Sequence, residues 1–175
     1  MKTICITAAV SKLGKTTLIQ QLIPVLKDWA VCKVTTCVRH AEDDCPRGHE
    51  DTCGVCNSLN LPYVIITDKS IINKPGTDTG KYVAAGASQV LWIQTRPEAL
   101  AESLEEAVSQ LPDVPGIIFE GNHVMSCLEP DLSIMMTRRE GVYKQSALDI
   151  RDSIDLFVED WNFGKAVDEV RKKFS

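Results

Sequence analysis

No apolar run in these 175 residues reaches the roughly 20 needed to cross a bilayer. Basic charge is not in excess either: 19 Lys and Arg stand against 24 Asp and Glu, a formal net charge of −5. The first absence argues against a membrane partner, and the second leaves nucleic acid without its electrostatic footprint. Internal repeats, low-complexity tracts and linkers are missing too. The reading is therefore a single domain over residues 1–175, long enough to bury its own core. The opening, Met1-Lys2-Thr3-Ile4-Cys5-Ile6-Thr7-Ala8, lacks the longer apolar core and cleavage site of a secretory leader. It reads as a first strand, and a cytoplasmic protein is expected. With 44% hydrophobic and 25% charged residues, the remainder has the balance of an ordinary globular chain.

The order of periodic segments sets the fold class. Thr3–Thr7 is a short β-branched run suited to a strand buried on both faces. Thr16–Trp29 has helical spacing, with Pro24 as a kink or break. Val31–Val38 and Leu61–Thr67 read as extended, and Asn73-Lys74-Pro75-Gly76 as a turn. Val90–Gln94, Gly116–Glu120, Leu132–Met136 and Leu156–Glu159 are further strands. Pro97–Leu111 is the clearest helix, with Pro97 at its first position, and Phe163–Phe174 is the last. Strands alternating with helices imply an α/β fold whose mostly parallel sheet is flanked by helices.

One loop in this order carries chemistry. Ala9-Val10-Ser11-Lys12-Leu13-Gly14-Lys15-Thr16-Thr17 follows a strand and opens a helix, the context that gives G-x-x-x-x-G-K-[ST] its meaning. Backbone amides of the loop and helix start would cradle phosphate oxygens, where the helix dipole favours negative charge. Lys15 would reach the β- and γ-oxygens, Thr16 would offer a hydroxyl to Mg²⁺, and Thr17 an α-phosphate contact. Lys12 either adds charge over the phosphates or points to solvent. The first glycine of the pattern is Ala9 here, which is acceptable where its dihedrals are ordinary. A chance Gly-Lys-Thr at a helix start is the competing explanation, and the flanking strand and helix argue against it. Glu120 ends an apolar strand at the sheet edge where α/β ligands gather. It is the candidate acid for ordering the metal's waters, the alternative being a solvated rim carboxylate.

Cysteine use gives the second signal. In a reducing compartment seven cysteines are not expected to form a disulfide framework. Cys5 and Cys32 sit in apolar runs and read as small core residues, and Cys127 carries no signal. Cys37, Cys45, Cys53 and Cys56 fall within 20 positions, interleaved with His40 and His49. The two residues between Cys53 and Cys56 let both sulfurs reach one ion. Thiolates suit Zn²⁺ at about 2.3 Å and suit an Fe–S cluster equally. A redox pair, or unrelated cysteines in an acidic loop, are the alternatives. Metal binding would also order a segment with no apolar periodicity of its own.

Several stretches together resemble the MobB proteins of molybdopterin-guanine dinucleotide biosynthesis. They are Ala9–Thr17, then Leu22-Ile23-Pro24-Val25-Leu26-Lys27, then Asn73-Lys74-Pro75-Gly76-Thr77-Asp78 with Ala84-Ala85-Gly86-Ala87. Val38-Arg39-His40 falls where that family has its lysine–histidine pair, and Phe119-Glu120-Gly121 where it has V-E-G. The likeness runs to about residue 121 and fades beyond it. It implies a SIMIBI-class P-loop fold, GTP binding with weak hydrolysis, a homodimer, and a supporting role with a partner in metallocofactor assembly. It also implies that Asp78 and His40 lie near the nucleotide. Asn73 departs from the family's acid, and about 41–66 reads as a cysteine-rich insertion. GTP follows from the resemblance alone, and ATP is the alternative.

Three functions are compatible with these residues. The first is a MobB-like GTP- or ATP-binding protein with weak NTPase activity, in which Lys15, Thr16 and Glu120 act on the phosphates and Mg²⁺. The second is a P-loop small-molecule kinase. The third is a nucleotide-binding metallochaperone or regulatory module that does not hydrolyse. His123, beside Glu120, is either a γ-phosphate or partner sensor or a plain loop histidine.

Overall fold

Ile4, Cys5 and Ile6 of the first strand are fully buried, as the β-branched run at the chain's start demands of a strand covered on both faces. The computed structural model describes residues 1–37, 61–111, 113–139 and 141–174. In chain order the elements are β1 (Lys2–Ala8), α1 (Lys15–Leu22), β2 (Ala30–Thr36), β3 (Tyr63–Ile66), α2 (Lys69–Ile72), α3 (Asp78–Ala84) and β4 (Val90–Thr95). They continue with α4 (Leu100–Ser109), β5 (Gly116–Glu120), β6 (Leu132–Thr137), α5 (Gln145–Leu148), β7 (Leu156–Glu159) and α6 (Phe163–Phe174).

Among the described residues these strands form one seven-stranded sheet in the order β3-β4-β2-β5-β1-β6-β7. Every pairing is parallel except β3 with β4. The protein is thus α/β, with a mostly parallel sheet. Side-chain alternation splits the core in two. On one face Ile4, Ile6, Val31, Ile118 and Ile134 pack with Leu18, Ile19 and Leu22 of α1, Tyr82 of α3, and Ala166 and Val170 of α6. On the other, Cys5, Cys32, Ile93, Ile117 and Phe119 pack with Leu100, Leu104 and Ala107 of α4. Cys5 and Cys32 are therefore core residues, and burial pushes both thiols far above their ordinary range. Among the described residues no helix is long and apolar enough to cross a membrane.

The structure refines the bounds read from the sequence. The helical run from Thr16 breaks at Pro24 as expected: α1 ends at Leu22, because Pro24 has no N–H to return to the carbonyl of residue 20 and so ends the ladder. The helix expected from Pro97 begins with a 3₁₀ turn over Pro97–Ala99, and its α-helical part is Leu100–Ser109. Residues 63–66, inside the expected extended run Leu61–Thr67, form the antiparallel edge strand of the sheet. α3 had no apolar period to announce it. It is built instead by capping, with the Thr77 hydroxyl accepting the Gly80 N–H at 3.1 Å.

A side chain on Gly116 would place its Cβ 2.6 Å from the Trp29 ring. That ring is itself held edge-to-face against Phe174, centroids 5.2 Å apart, so it has little room to retreat. Gly116→Ala is expected to lower unfolding stability by about 1–3 kcal/mol with an unchanged denaturant slope. An unaltered midpoint would show that Trp29 can move.

Candidate functional site

Parallel pairing brings the carboxyl ends of β1, β2, β5 and β6 to one edge, with Ile6 beside Glu120 and Lys33 beside Glu120 in register. The loop between β1 and α1 opens at that edge. Ala9 is buried, donates its N–H to the Met136 carbonyl at 2.9 Å and accepts the Lys144 N–H at 2.9 Å. Its φ is not among the left-handed ones, so alanine stands without strain in place of a glycine. Gly14 does need to be glycine. Its φ is +89°, and a Cβ there would lie 2.9 Å from the Trp161 ring. Asn122 fastens the end of β1 from below: its side-chain amide accepts the Ala8 N–H at 3.0 Å and donates to the Ala8 carbonyl at 2.9 Å.

α1 begins directly after this turn, and no side chain caps its first amides. Those donors are left for another acceptor. Lys15 and Thr16 stand half-buried at the helix start, Ser11, Lys12 and Thr17 are exposed, and Leu13 is turned into the core. Lys12 therefore faces solvent, and Leu13 has only its backbone to offer a ligand.

Two acids converge on this turn from different elements. Glu120, buried at the end of β5, has one oxygen 3.6 Å from the Lys15 ammonium and accepts the Tyr82 hydroxyl on the other at 2.6 Å. Asp78, the first residue of α3, accepts the Thr16 hydroxyl at 3.0 Å and pairs with Lys33 of β2 through its second oxygen. Burial raises the Asp78 carboxyl, but the hydrogen bond and charge of Lys33, helped by Thr16, outweigh it and hold the group below its ordinary value. The phenol of Tyr82 is pushed far up, by burial first and then by the charge of Glu120. His123 is half-buried and held below its ordinary value by burial and then by the Lys144 charge, against the pull of Asp149.

The structure thus groups Lys15, Thr16, Asp78 and Glu120, and adds three residues that the sequence reading passed over. Lys33 had a visible signal, a charge inside an otherwise apolar strand, which calls for a partner. Asn122 and Tyr82 had none, because a residue's depth beneath a loop does not show in spacing. Asn73 and Lys74 are exposed. Among the described residues no three His, Cys, Asp or Glu side chains gather as a metal cage.

Cys37 is half-buried just past β2, with its N–H on the Thr95 carbonyl at 2.8 Å. Cys45, Cys53, Cys56, His40 and His49 lie outside the described residues. The ends of that segment are nevertheless placed: Pro62 accepts the Arg96 N–H at 2.9 Å, and Tyr63 is in register with Thr95. Cys37, Pro62 and Tyr63 therefore all stand at the carboxyl edge of the sheet, the edge that carries Lys15 and Glu120. No protein-family model, curated protein or solved structure was found to match this chain.

Asp78 makes stability depend on acid in a definite sense. A carboxyl held below its ordinary value contributes stability that is complete above that value, near 3.8, and is lost as pH falls through the depressed one. Asp78→Asn is expected to cost on the order of 1 kcal/mol at neutral pH, the scale of a part-exposed pair. The difference from the parent, measured by urea unfolding between pH 7 and pH 2.5, should close below about pH 4. A gap that stays constant across this range would remove Lys33 as the partner.

Proposed function

We propose that this chain is a P-loop nucleotide-binding protein that takes GTP or ATP with Mg²⁺. The observation that carries the reading is the convergence of Lys15, Thr16 and uncapped helix amides with Asp78 and Glu120 at one sheet edge. A lysine at the start of a helix, beside open amides and a glycine turn, meets what a polyphosphate requires: several donors and positive charge at close range. The oxygens of Thr16, Asp78 and Glu120 also fit Mg²⁺, which takes hard oxygen donors and prefers one or two carboxylates completed by water and phosphate. When bound, the ion neutralises charge on the phosphate oxygens.

The residues themselves then have separate tasks. With nucleotide bound, Lys15 would contact a phosphate oxygen in place of Glu120, whose outer oxygen would face the ion's water shell. The Thr16 hydroxyl, now on Asp78, would be the ion's side-chain donor from α1. Lys33 keeps Asp78 ionised and in place. None of these groups is a strong general base aimed at a water, which accords with weak hydrolysis driven by positioning and charge.

The likeness to MobB proteins extends the proposal to a supporting role in metallocofactor assembly of the molybdenum-cofactor type. A thiolate site for Zn²⁺ or an Fe–S cluster on Cys37, Cys45, Cys53 and Cys56 belongs to the same proposal and is supported by the spacing of those residues.

Two experiments test these statements. Fluorescent GTP and ATP analogues should bind the parent in the presence of Mg²⁺, and Lys15→Ala should weaken that binding roughly 100-fold, the scale for losing a preorganised charged donor. A Lys15→Ala protein that binds as well as the parent would end the phosphate reading. For the thiolates, protein purified without air should carry zinc, or iron with labile sulfide, and the double variant Cys53→Ala, Cys56→Ala should lose it. Parent protein free of both metals would leave those cysteines without this role.

A further inference from the structure

Tyr82 is fully buried and ranks among the largest side chains to be so, yet it ends in a hydroxyl. A buried phenol requires a partner, and this one donates to a Glu120 oxygen at 2.6 Å, the length of a charge-assisted O–H···O bond. We propose that Tyr82 is the positioning residue for Glu120, holding one carboxylate oxygen so that the other faces Lys15 and the phosphate edge. The metal consequence drawn below rests on the nucleotide-site reading given above.

Three observations carry the inference. First, the two oxygens of Glu120 are used differently: Tyr82 takes one at 2.6 Å, and Lys15 stands 3.6 Å from the other. The tight bond is the one that a ligand cannot reach, and the loose one faces the site. Second, Tyr82 lies four residues after Asp78 on α3, so the two project from the same face of the helix, one turn apart. Asp78 holds Thr16, and Tyr82 holds Glu120. One short helix thereby sets both carboxylates against the start of α1. Third, Tyr82 packs in the same core cluster as Leu18, Ile19 and Leu22 of α1 and Ile6 of β1, which fixes its ring and hence the direction of its hydroxyl.

The consequence is that Glu120 does not swing away when Lys15 turns to a phosphate. Its inner oxygen stays on the phenol and its outer oxygen stays at the site, ready for the water shell of a cation. Without the hydroxyl the carboxylate keeps its contact with Lys15, and it would follow that side chain.

Tyr82→Phe keeps the ring and removes the bond. In the absence of nucleotide, the carboxyl ¹³C resonance of Glu120, assigned by its loss in Glu120→Gln, should shift in Tyr82→Phe. An unmoved resonance overturns the inference. In the presence of nucleotide, the Mg²⁺ concentration for half-maximal binding of the fluorescent analogue should rise about tenfold, the lower range for losing a group that orients a metal-site residue. Nucleotide affinity without Mg²⁺ should not change, and in a Glu120→Gln background Tyr82→Phe should add nothing. A purely structural tyrosine would lower the melting temperature and leave the Mg²⁺ requirement untouched, which overturns the inference while Lys15-dependent binding stands. Parent protein that binds no nucleotide overturns the phosphate reading and the metal consequence with it, and the resonance alone then decides the link between Tyr82 and Glu120. Should Tyr82→Phe not fold, Glu120→Gln reads the same bond from the acceptor side, through a shift of the Tyr82 ring carbon that bears the hydroxyl.

Discussion

The parallel pairing of β1 with β5 is the constraint on which the site depends. In that register Ile6 lies beside Glu120, so the strand that ends in the phosphate-type loop and the strand that ends in the acid stop at the same level. Parallel strands leave all their carboxyl ends on one side, and the loops that follow must share that side. Asn122, two residues past β5, then reaches the last peptide of β1 and closes both of its backbone bonds. Had these two strands run antiparallel, Lys15 and Glu120 would stand at opposite ends of the sheet.

A second property follows from that convergence. Two ammonium groups and two carboxylates occupy a small, partly buried volume, and they are paired as Lys15 with Glu120 and Lys33 with Asp78. Removing charge from water is costly, and the attraction between partners offsets that cost only where the contact is close. The Lys33 pair is close and shares its acid with Thr16, whereas the Lys15 pair is 3.6 Å apart. The looser pair is the one beside the open amides of α1. An incoming polyanion would therefore displace the weaker interaction and leave the stronger one intact. A ligand of one sign alone would leave a lysine or a carboxylate of this group without its partner.

Much of this frame was legible in the sequence because it was written in periodicity. The runs at Gly116–Glu120, Leu156–Glu159 and Phe163–Phe174 became elements with those same bounds, and the glycine–lysine–threonine turn marked where β1 would end. What stayed hidden had no period. α3 is seven residues long and is held by a threonine cap and by two polar contacts to distant strands, so its local sequence resembles a loop. Tyr82 and Glu120 are 38 positions apart, and nothing in either neighbourhood announces the other. Lys33 could be recognised as a charge in need of a partner, but the partner itself is a property of the fold. Strand direction was equally silent. Leu61–Thr67 looked like any other extended run, and it is the edge position beside β4 that allows a short reversal without a crossover helix.

That reversal bears on the cysteine-bearing segment. A parallel β3 would begin at the amino edge of the sheet, and the chain from Cys37 would have to cross the whole sheet height to reach it. The antiparallel pairing of Tyr63 with Thr95 places both ends of the segment at the carboxyl edge instead, on either side of Thr95 and Arg96. β2 carries Lys33 four residues before Cys37, and Lys33 holds the acid that holds Thr16. Lys33 and, just past the end of the strand, Cys37 thus share one stretch of chain, which the Asp78 and Thr16 contacts tie to the start of α1.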